Sequence, residues 1–385
     1  MQGFTFDTVR QIVCASGSRH QIGTYCQQLG IRHVLLITDA GILRFNLHHD
    51  ALASLAQAGV QVTLYSDVQA DPPDHVVLAA AQHAIAAGVD GVMGYGGGSS
   101  MDVAKLIALL ACPTQQQQLA DIYGVGNVKG PRLPLIQVPT TAGTGSEVTA
   151  VAIVTTGATS KMGVVSPVLM ADMAILDAEL TTGLPPTITA ATGIDAMVHA
   201  IEAYTSKHKK NAYADLLARE ALRLLDAHLQ TAIHDGQNLI ARQNMLLGAM
   251  LAGQAFANAP VAAVHALAYP LGGHYHISHG LSNALVLIEV LRFNLSHAAP
   301  LYAELFKVFV PSAEGSNDTL AHALIERLEQ HIINSGLPRR LRDLNVIADH
   351  LPTLASDAMK QTRLLTNNPR ELCEADALAI YQAVF

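Results

Sequence analysis

Short apolar runs alternate with helix-length amphipathic stretches over the first 140 residues of the chain. Residues 33–39 (HVLLITD) form an apolar run that ends in polar side chains, and similar runs recur at 60–65, 91–95 and 133–138. Between them lie stretches with helical patterning, at about 42–58, 74–88 and 99–112. Apolar strands separated by helix-length crossovers predict a parallel sheet of α/β units. Sheets of this kind bind ligands in the crevice outside the carboxyl ends of their strands.

The texture changes at Leu184-Pro185-Pro186. Beyond it come long amphipathic stretches, among them 211–229, 240–257 and 319–335, with almost no β-rich runs. The pattern predicts two domains: an α/β nucleotide-binding domain over 1–184 and an all-helical domain over 185–385. There is no repeat or low-complexity linker; Gln115–Gln118 reads as a short polar loop.

Composition narrows the function. The 385 residues are 50% hydrophobic and 14% charged, which excludes a disordered chain and leaves material for large cores. The net charge is −8, and no basic cluster is longer than His208-Lys209-Lys210, which argues against nucleic acid or an anionic membrane surface as partner. No apolar run reaches membrane-spanning length, and the first ten residues, MQGFTFDTVR, lack the apolar core of a signal peptide. Cys14, Cys26, Cys112 and Cys373 are far apart and form no CxxC pair, so they read as thiols in a reducing cytoplasm. The odd feature is eighteen histidines against no tryptophan, which directs attention to a metal site.

Two loops carry candidate nucleotide chemistry. Gly96-Gly97-Gly98-Ser99-Ser100 follows an apolar strand and opens a helix that contains Asp102 and Lys105. Glycines there would let backbone approach a phosphate, with the helix N-terminus supplying N–H donors; a plain strand-to-helix turn has the same sequence. The stretch is neither a Walker A loop nor GxGxxG, and it sits in the third βα unit rather than the first. Pro139–Glu147 (PTTAGTGSE) again follows a strand and presents hydroxyls among small residues, suited to a ribose or phosphate. Two such loops on successive strand ends favour nucleotide binding. Asp39, closing the first strand, would accept from ribose hydroxyls and repel a 2′-phosphate, favouring NAD; a helix cap is the equal alternative.

Candidate metal ligands follow in the second half. Asp195 and His199 are four residues apart in a helical stretch and share a face, as an exposed ion pair also would. Downstream, four histidines (His265, His274, His276, His279) fall within fifteen residues, in a setting of small apolar side chains. One carboxylate with three imidazoles suits a first-row divalent cation such as Fe²⁺ or Zn²⁺, and the lack of cysteine argues against a thiolate structural zinc.

With these residues assembled, the chain resembles the iron-dependent (group III) alcohol dehydrogenases nearly end to end. The resemblance rests on Gly96-Gly-Gly-Ser99-x-x-Asp102-x-Ala-Lys105, Pro139–Glu147, Ala191-Thr-Gly-x-Asp195-x-x-x-His199-Ala-x-Glu202, His265-Ala-Leu-Ala-Tyr-Pro-Leu-Gly272, His279-Gly280 and Asn368-Pro369-Arg370. It implies a dehydroquinate synthase-like fold, with a Rossmann-like parallel sheet of non-standard strand order and a helical C-terminal domain. It implies Asp195, His199, His265 and His279 as ligands of Fe²⁺, with Zn²⁺ as the other option. It implies Asp39, Gly97, Gly98, Ser99, Thr140, Thr141 and Thr144 as NAD-binding positions, joined by Asp102 in the glycine-loop motif and by Lys161 and Leu180 near the ribose. Many members carry a second histidine where this chain has Tyr269, so the proton relay falls here to Tyr269, His274 or water.

The expected activity is reversible hydride transfer between a small alcohol and NAD⁺, with Fe²⁺ binding the alcohol oxygen as Lewis acid. A homodimer or higher homo-oligomer is the expected assembly. The rival readings are a zinc-dependent glycerol or diol dehydrogenase of the same fold, a dehydroquinate-synthase-like lyase, a metal-dependent hydrolase, and a non-catalytic nucleotide-binding protein. Sparse Lys and Arg over 190–280 count against the lyase.

Overall fold

The protein is described here from a computed structural model, which covers residues 3–157 and 160–385. The described chain divides into two compact units. One contains residues 7–141 and 145–182. The other contains 183–385, the segment ending at Phe6, and residues 142–144.

The first unit is α/β. Its elements are β1 (Gln11–Cys14), α1 (Ile22–Gln28), β2 (His33–Asp39), α2 (Ala40–Arg44), α3 (His49–Gln57), β3 (Gln61–Val68), α4 (Asp74–Ala87), β4 (Gly91–Gly96), α5 (Gly98–Leu110), α6 (Leu119–Ile122), β5 (Gly124–Val125), β6 (Leu135–Pro139), β7 (Val151–Thr156), β8 (Ser160–Val165) and β9 (Met173–Leu176). Six strands form a fully parallel sheet in the order β1-β9-β6-β4-β2-β3. A second, three-stranded sheet is built on the β7–β8 hairpin with β5 beside β8. Val34, Leu35, Leu36 and Ile37 of β2 are buried on both faces of the sheet, which is why this strand reads as an unbroken apolar run rather than an alternation.

Strand order places the site. From β2 the chain steps outward to β3, then returns to β4 on the other flank of β2 and continues to β6. The carboxyl ends of β2 and β4 therefore bound the topological switch point, the crevice where open α/β sheets hold nucleotides. Asp39 ends β2 and Gly96 ends β4.

The structure differs from the sequence expectation in three details. The stretch 42–58 is two helices, α2 and α3, because Asn46 takes a left-handed conformation (φ 56°) between them. Strands β1 and β9 extend the sheet on one side. β1 is a largely exposed edge of only four residues, too short to stand out as a pattern. The β7–β8 hairpin is the third difference: β7 alternates in burial, but its VAIV sequence is apolar throughout and shows no period-two alternation.

The second unit is helical: α7 (Pro186–Thr205), α8 (Ala212–His234), α9 (Leu239–Asn258), α10 (Ala263–Tyr275), α11 (His279–Phe309), α12 (Asn317–Asn334), α13 (Leu351–Met359), α14 (Thr362–Leu365) and α15 (Glu374–Ala383). Side chains accept from backbone N–H groups at the starts of α8 (Asn211), α9 (Asn238) and α12 (Ser316), each worth about 1 kcal/mol. Helix α7 is buried nearly all round from Thr189 to Thr205, Asp195, His199 and Glu202 included. Helix α11 is long and apolar enough to cross a membrane by length and composition, yet more than half of its most apolar stretch is buried inside the protein.

Candidate active site

Three helices bring four side chains to one point. Asp195 and His199 sit one turn apart on α7, His265 lies in the first turn of α10, and His279 is the first residue of α11. The Nε2 atoms of His199, His265 and His279 lie 3.9, 3.8 and 3.6 Å from Asp195 Oδ1. All four ligand atoms are within 4.8 Å of one another. Ligands around a single tetrahedral first-row ion, about 2.1 Å from it, stand about 3.4 Å apart. A small contraction of the cage would fit one.

Burial sets the cage apart from a surface ion pair and makes it a candidate metal site. Asp195, His199 and His265 are buried, while His279 is partly exposed and marks the open side. Burial is the largest influence on Asp195 and pushes its pKa upward. The three imidazoles and the hydrogen bond from Asn283 outweigh it, so the carboxyl stays below its usual range. Burial drives the His199 pKa down to about 3, with His265 and His279 pushing the same way against the attraction of Asp195. At neutral pH the pair is thus a carboxylate beside a neutral imidazole, the protonation states a cation requires.

The outer nitrogens settle which ring atoms face the cage. His265 Nδ1 is 2.7 Å from Glu202 Oε2, so Nδ1 carries the proton and Nε2 keeps its lone pair. Glu202 is itself fixed on α7 by accepting from Ala262 N at 2.9 Å and Val264 N at 2.7 Å. His199 Nδ1 donates to the Gly143 carbonyl at 3.2 Å, which aims its Nε2 inward too. Its ring is stacked between Phe256 (centroids 4.3 Å apart) and His265 (4.7 Å). Asn283, one turn beyond His279, directs its Nδ2 at Asp195 Oδ1 from 2.5 Å. Glu202, Gly143 and Asn283 escaped the sequence reading as functional residues. For Glu202 and Asn283 the available signal was spacing: three residues after His199 and four after His279, each on its ligand's helix face.

Tyr269 lies one turn after His265, and its ring centroid is 6.0 Å from that of His279. His274 is held elsewhere, its Nε2 2.6 Å from Asp357 Oδ2 on α13. Of the two relay candidates, Tyr269 is the one beside a candidate ligand.

All the nucleotide candidates but Thr144 lie on the first unit. Asp39 caps α2, accepting from Gly41 N at 2.8 Å and Ile42 N at 3.2 Å through Oδ1. Its Oδ2 is 3.5 Å from Ser100 Oγ. The cap reading therefore holds, and one carboxylate oxygen remains turned toward the glycine loop. Gly96 leaves no room for a side chain: a Cβ there would lie 2.7 Å from Ser100 Oγ and 3.3 Å from Asp39 Oδ2. Gly97 is the cap residue of α5, Gly98 and Ser99 are its first two residues, and the cap residue supplies no side-chain hydrogen bond to the helix N–H groups. Thr140 N donates to the Gly96 carbonyl at 3.0 Å, which ties the second loop to the first, and Thr141 is the nearest neighbour of Gly97.

Three further candidates have structural duties. Asp102 Oδ1 accepts from Ser146 Oγ at 2.6 Å and its Oδ2 from Ile153 N at 2.9 Å. Buried Lys105 binds Ser146 Oγ, Thr149 Oγ1 and the Val151 carbonyl, so this cluster anchors the end of the PTTAGTGSE loop. Lys161 Nζ pairs with Asp71 Oδ1 at 2.6 Å. Leu180 is packed in the apolar core around β2 and β4. Thr144 falls in the three-residue segment that belongs with the helical unit.

Comparison with known proteins agrees with this architecture. Residues 10–178 match the family described as iron-containing alcohol dehydrogenase, and residues 189–385 match the C-terminal part of the Fe-containing alcohol dehydrogenase family. Long-chain-alcohol dehydrogenase 1 of Geobacillus thermodenitrificans is 39% identical over 377 residues, covering 96% of this chain and 93% of that protein. The crystal structure of a 1,3-propanediol oxidoreductase superposes with a TM-score of 0.95 at 33% identity over the whole of both chains. A sulfoacetaldehyde reductase from Bifidobacterium kashiwanohense, solved in complex with NAD⁺, superposes with a TM-score of 0.89 at 27% identity, covering 100% of this chain and 99% of the other.

Proposed function

Because this chain belongs to the iron-containing alcohol dehydrogenase family, we propose that it catalyses reversible hydride transfer between a small alcohol and NAD⁺ at a divalent metal site. The observation that carries the reading is the Asp195–His199–His265–His279 cage, in which the outer nitrogens of His199 and His265 are tied so that their Nε2 atoms face inward. The four donors fit Fe²⁺, and a cation held there supplies Lewis acidity toward an alcohol oxygen.

The chain's own residues do the rest. Asp195 contributes the one negative charge of the cage, and Glu202 and the Gly143 carbonyl hold two imidazoles in the ligating tautomer. Phe256 covers one face of His199 and keeps water from that side. Tyr269, beside His279, is the hydroxyl we assign to the proton leaving the alcohol. Asp39, Gly97, Gly98, Ser99, Thr140, Thr141 and Thr144 are the residues we assign to NAD, with the Asp39 charge excluding a 2′-phosphate. Asp102 acts on that site through Ser146, and Lys161 and Leu180 through the fold around it. The enzyme is further read as a cytoplasmic homo-oligomer, whose mass in solution light scattering would measure.

The test is anaerobic reconstitution of metal-stripped protein with Fe²⁺, followed by NADH formation across short primary alcohols, diols and glycerol, with a Zn²⁺-loaded sample alongside. Fe²⁺-dependent NADH formation is expected. Turnover with zinc and glycerol alone would make it a zinc-dependent glycerol dehydrogenase. No turnover and no NAD binding would overturn the assignment. Asp195→Ala is expected to abolish metal retention and turnover while NAD binding survives.

A further inference from the structure

Asn283 is buried, and its side chain reaches three of the four cage atoms. Nδ2 is 2.5 Å from Asp195 Oδ1 and 3.3 Å from both His265 Nε2 and His279 Nε2. Three of the four ligand atoms thus share one amide donor. The orientation of that amide follows from the first distance, since an amide oxygen there would face a carboxylate oxygen at 2.5 Å with no proton between them. The consequence falls on the other end: Asn283 Oδ1 is buried and has no hydrogen-bond partner among the described residues. An amide that leaves its acceptor unsatisfied is held in place by what its donors meet.

An imidazole Nε2 has one lone pair, and the Glu202 bond to Nδ1 commits His265 to presenting it inward. That lone pair takes either the Asn283 N–H or a cation, not both. From this we infer that Asn283 is a positioning residue that competes with the metal for its ligands: its amide preorganises Asp195, His265 and His279 and at the same time lowers the affinity of the cage for a divalent ion. The inference rests on the metal-site reading above.

The experiment measures metal affinity directly. Metal-stripped wild-type protein and Asn283→Ala are titrated with Zn²⁺ and with Co²⁺ against a chromophoric chelator, and thermal unfolding is followed with and without metal. Asn283→Ala is expected to bind both ions more tightly, by roughly tenfold, the change that follows from freeing one or two neutral hydrogen bonds. Its metal-stripped form is expected to melt lower than wild type, so the gap between loaded and stripped melting temperatures widens. The Co²⁺ visible spectrum is expected to keep its wild-type shape, because the ligand set is unchanged. Weaker binding by Asn283→Ala, with the melting gap unchanged or narrowed, would overturn the competition and leave Asn283 as a simple support for Asp195. An altered Co²⁺ spectrum would overturn it as well, by making Asn283 a ligand. If Asn283→Ala does not fold, Asn283→Ser, too short to bridge the three atoms, carries the same expectations. Failure of wild-type protein to bind either ion would refute the metal site itself, a result distinct from any of these.

Discussion

Glu202 accepts the Nδ1 proton of His265 at 2.7 Å while the same carboxylate receives the Ala262 and Val264 N–H groups at the start of α10. One buried side chain on α7 therefore both caps the helix that carries His265 and selects that ligand's tautomer. Glu202→Gln keeps the size but weakens acceptance from the ring and lets the imidazole turn over. It is expected to reduce metal affinity by about 10–100-fold. Chelator competition reads this; affinity equal to wild type would mean that α10 alone orients the ring.

Gly280 follows His279 directly, and a Cβ there would lie 2.4 Å from the Ala191 carbonyl oxygen on α7. Close contact at this point is what brings the first residue of α11 to Asp195. Gly280→Ala should push the helices apart, lose at least tenfold in metal affinity and destabilise the fold by about 1–3 kcal/mol. Metal content and denaturant unfolding check both, and a variant that retains its metal would show that α11 can slide without moving His279.

Asp39 joins two duties, the cap of α2 and a carboxylate oxygen aimed at the glycine loop. Serine can cap without the charge. Asp39→Ser is expected to preserve stability and to raise the use of NADP relative to NAD, measured as the ratio of kcat/KM for the two nucleotides. Asp39→Ala is expected to shift preference likewise but to lose about 1 kcal/mol of stability with the cap. An unchanged ratio in both would remove Asp39 from the ribose site.

Acid sensitivity follows from His199. Its folded pKa, near 3, lies below the ordinary value of 6.5, so between these limits the unfolded chain binds a proton that the folded protein refuses. Stability is therefore expected to fall as pH drops from about 6.5 toward 3, with this residue contributing up to about 1.4 kcal/mol per pH unit. Asp195, whose folded pKa is depressed, adds a loss with the same sign at the acid end of that window. Denaturant unfolding of metal-stripped protein across this range tests it, and His199→Gln should flatten the slope. An equal slope in that variant would place the titration elsewhere.

Much of this molecule can be read along the chain. Continuous apolar runs such as 34–37 exist because both faces of a parallel sheet are covered, and that requirement is written locally in each strand. The helical unit shows itself through amphipathic spacing, and the loops at 96–100 and 139–147 through their concentration of glycine and threonine. The four candidate ligands were visible as residue types whose chemistry suits a first-row cation.

What tertiary structure alone decided is which atoms meet and what each is already doing. The switch point between β2 and β4 depends on strand order, which hydropathy does not encode. Asp102, Lys161 and Leu180 are tied to a nucleotide by the family resemblance, and only the fold shows the loop anchor, the ion pair with Asp71 and the apolar core that they also form. Glu202 and Asn283 become partners of His265 and Asp195 through contacts 63 and 88 residues apart in the chain. Local physics chooses helix, strand and turn from neighbouring residues. The tautomer of a buried imidazole, or the atom that competes for its lone pair, is set by groups that only packing brings within hydrogen-bonding range.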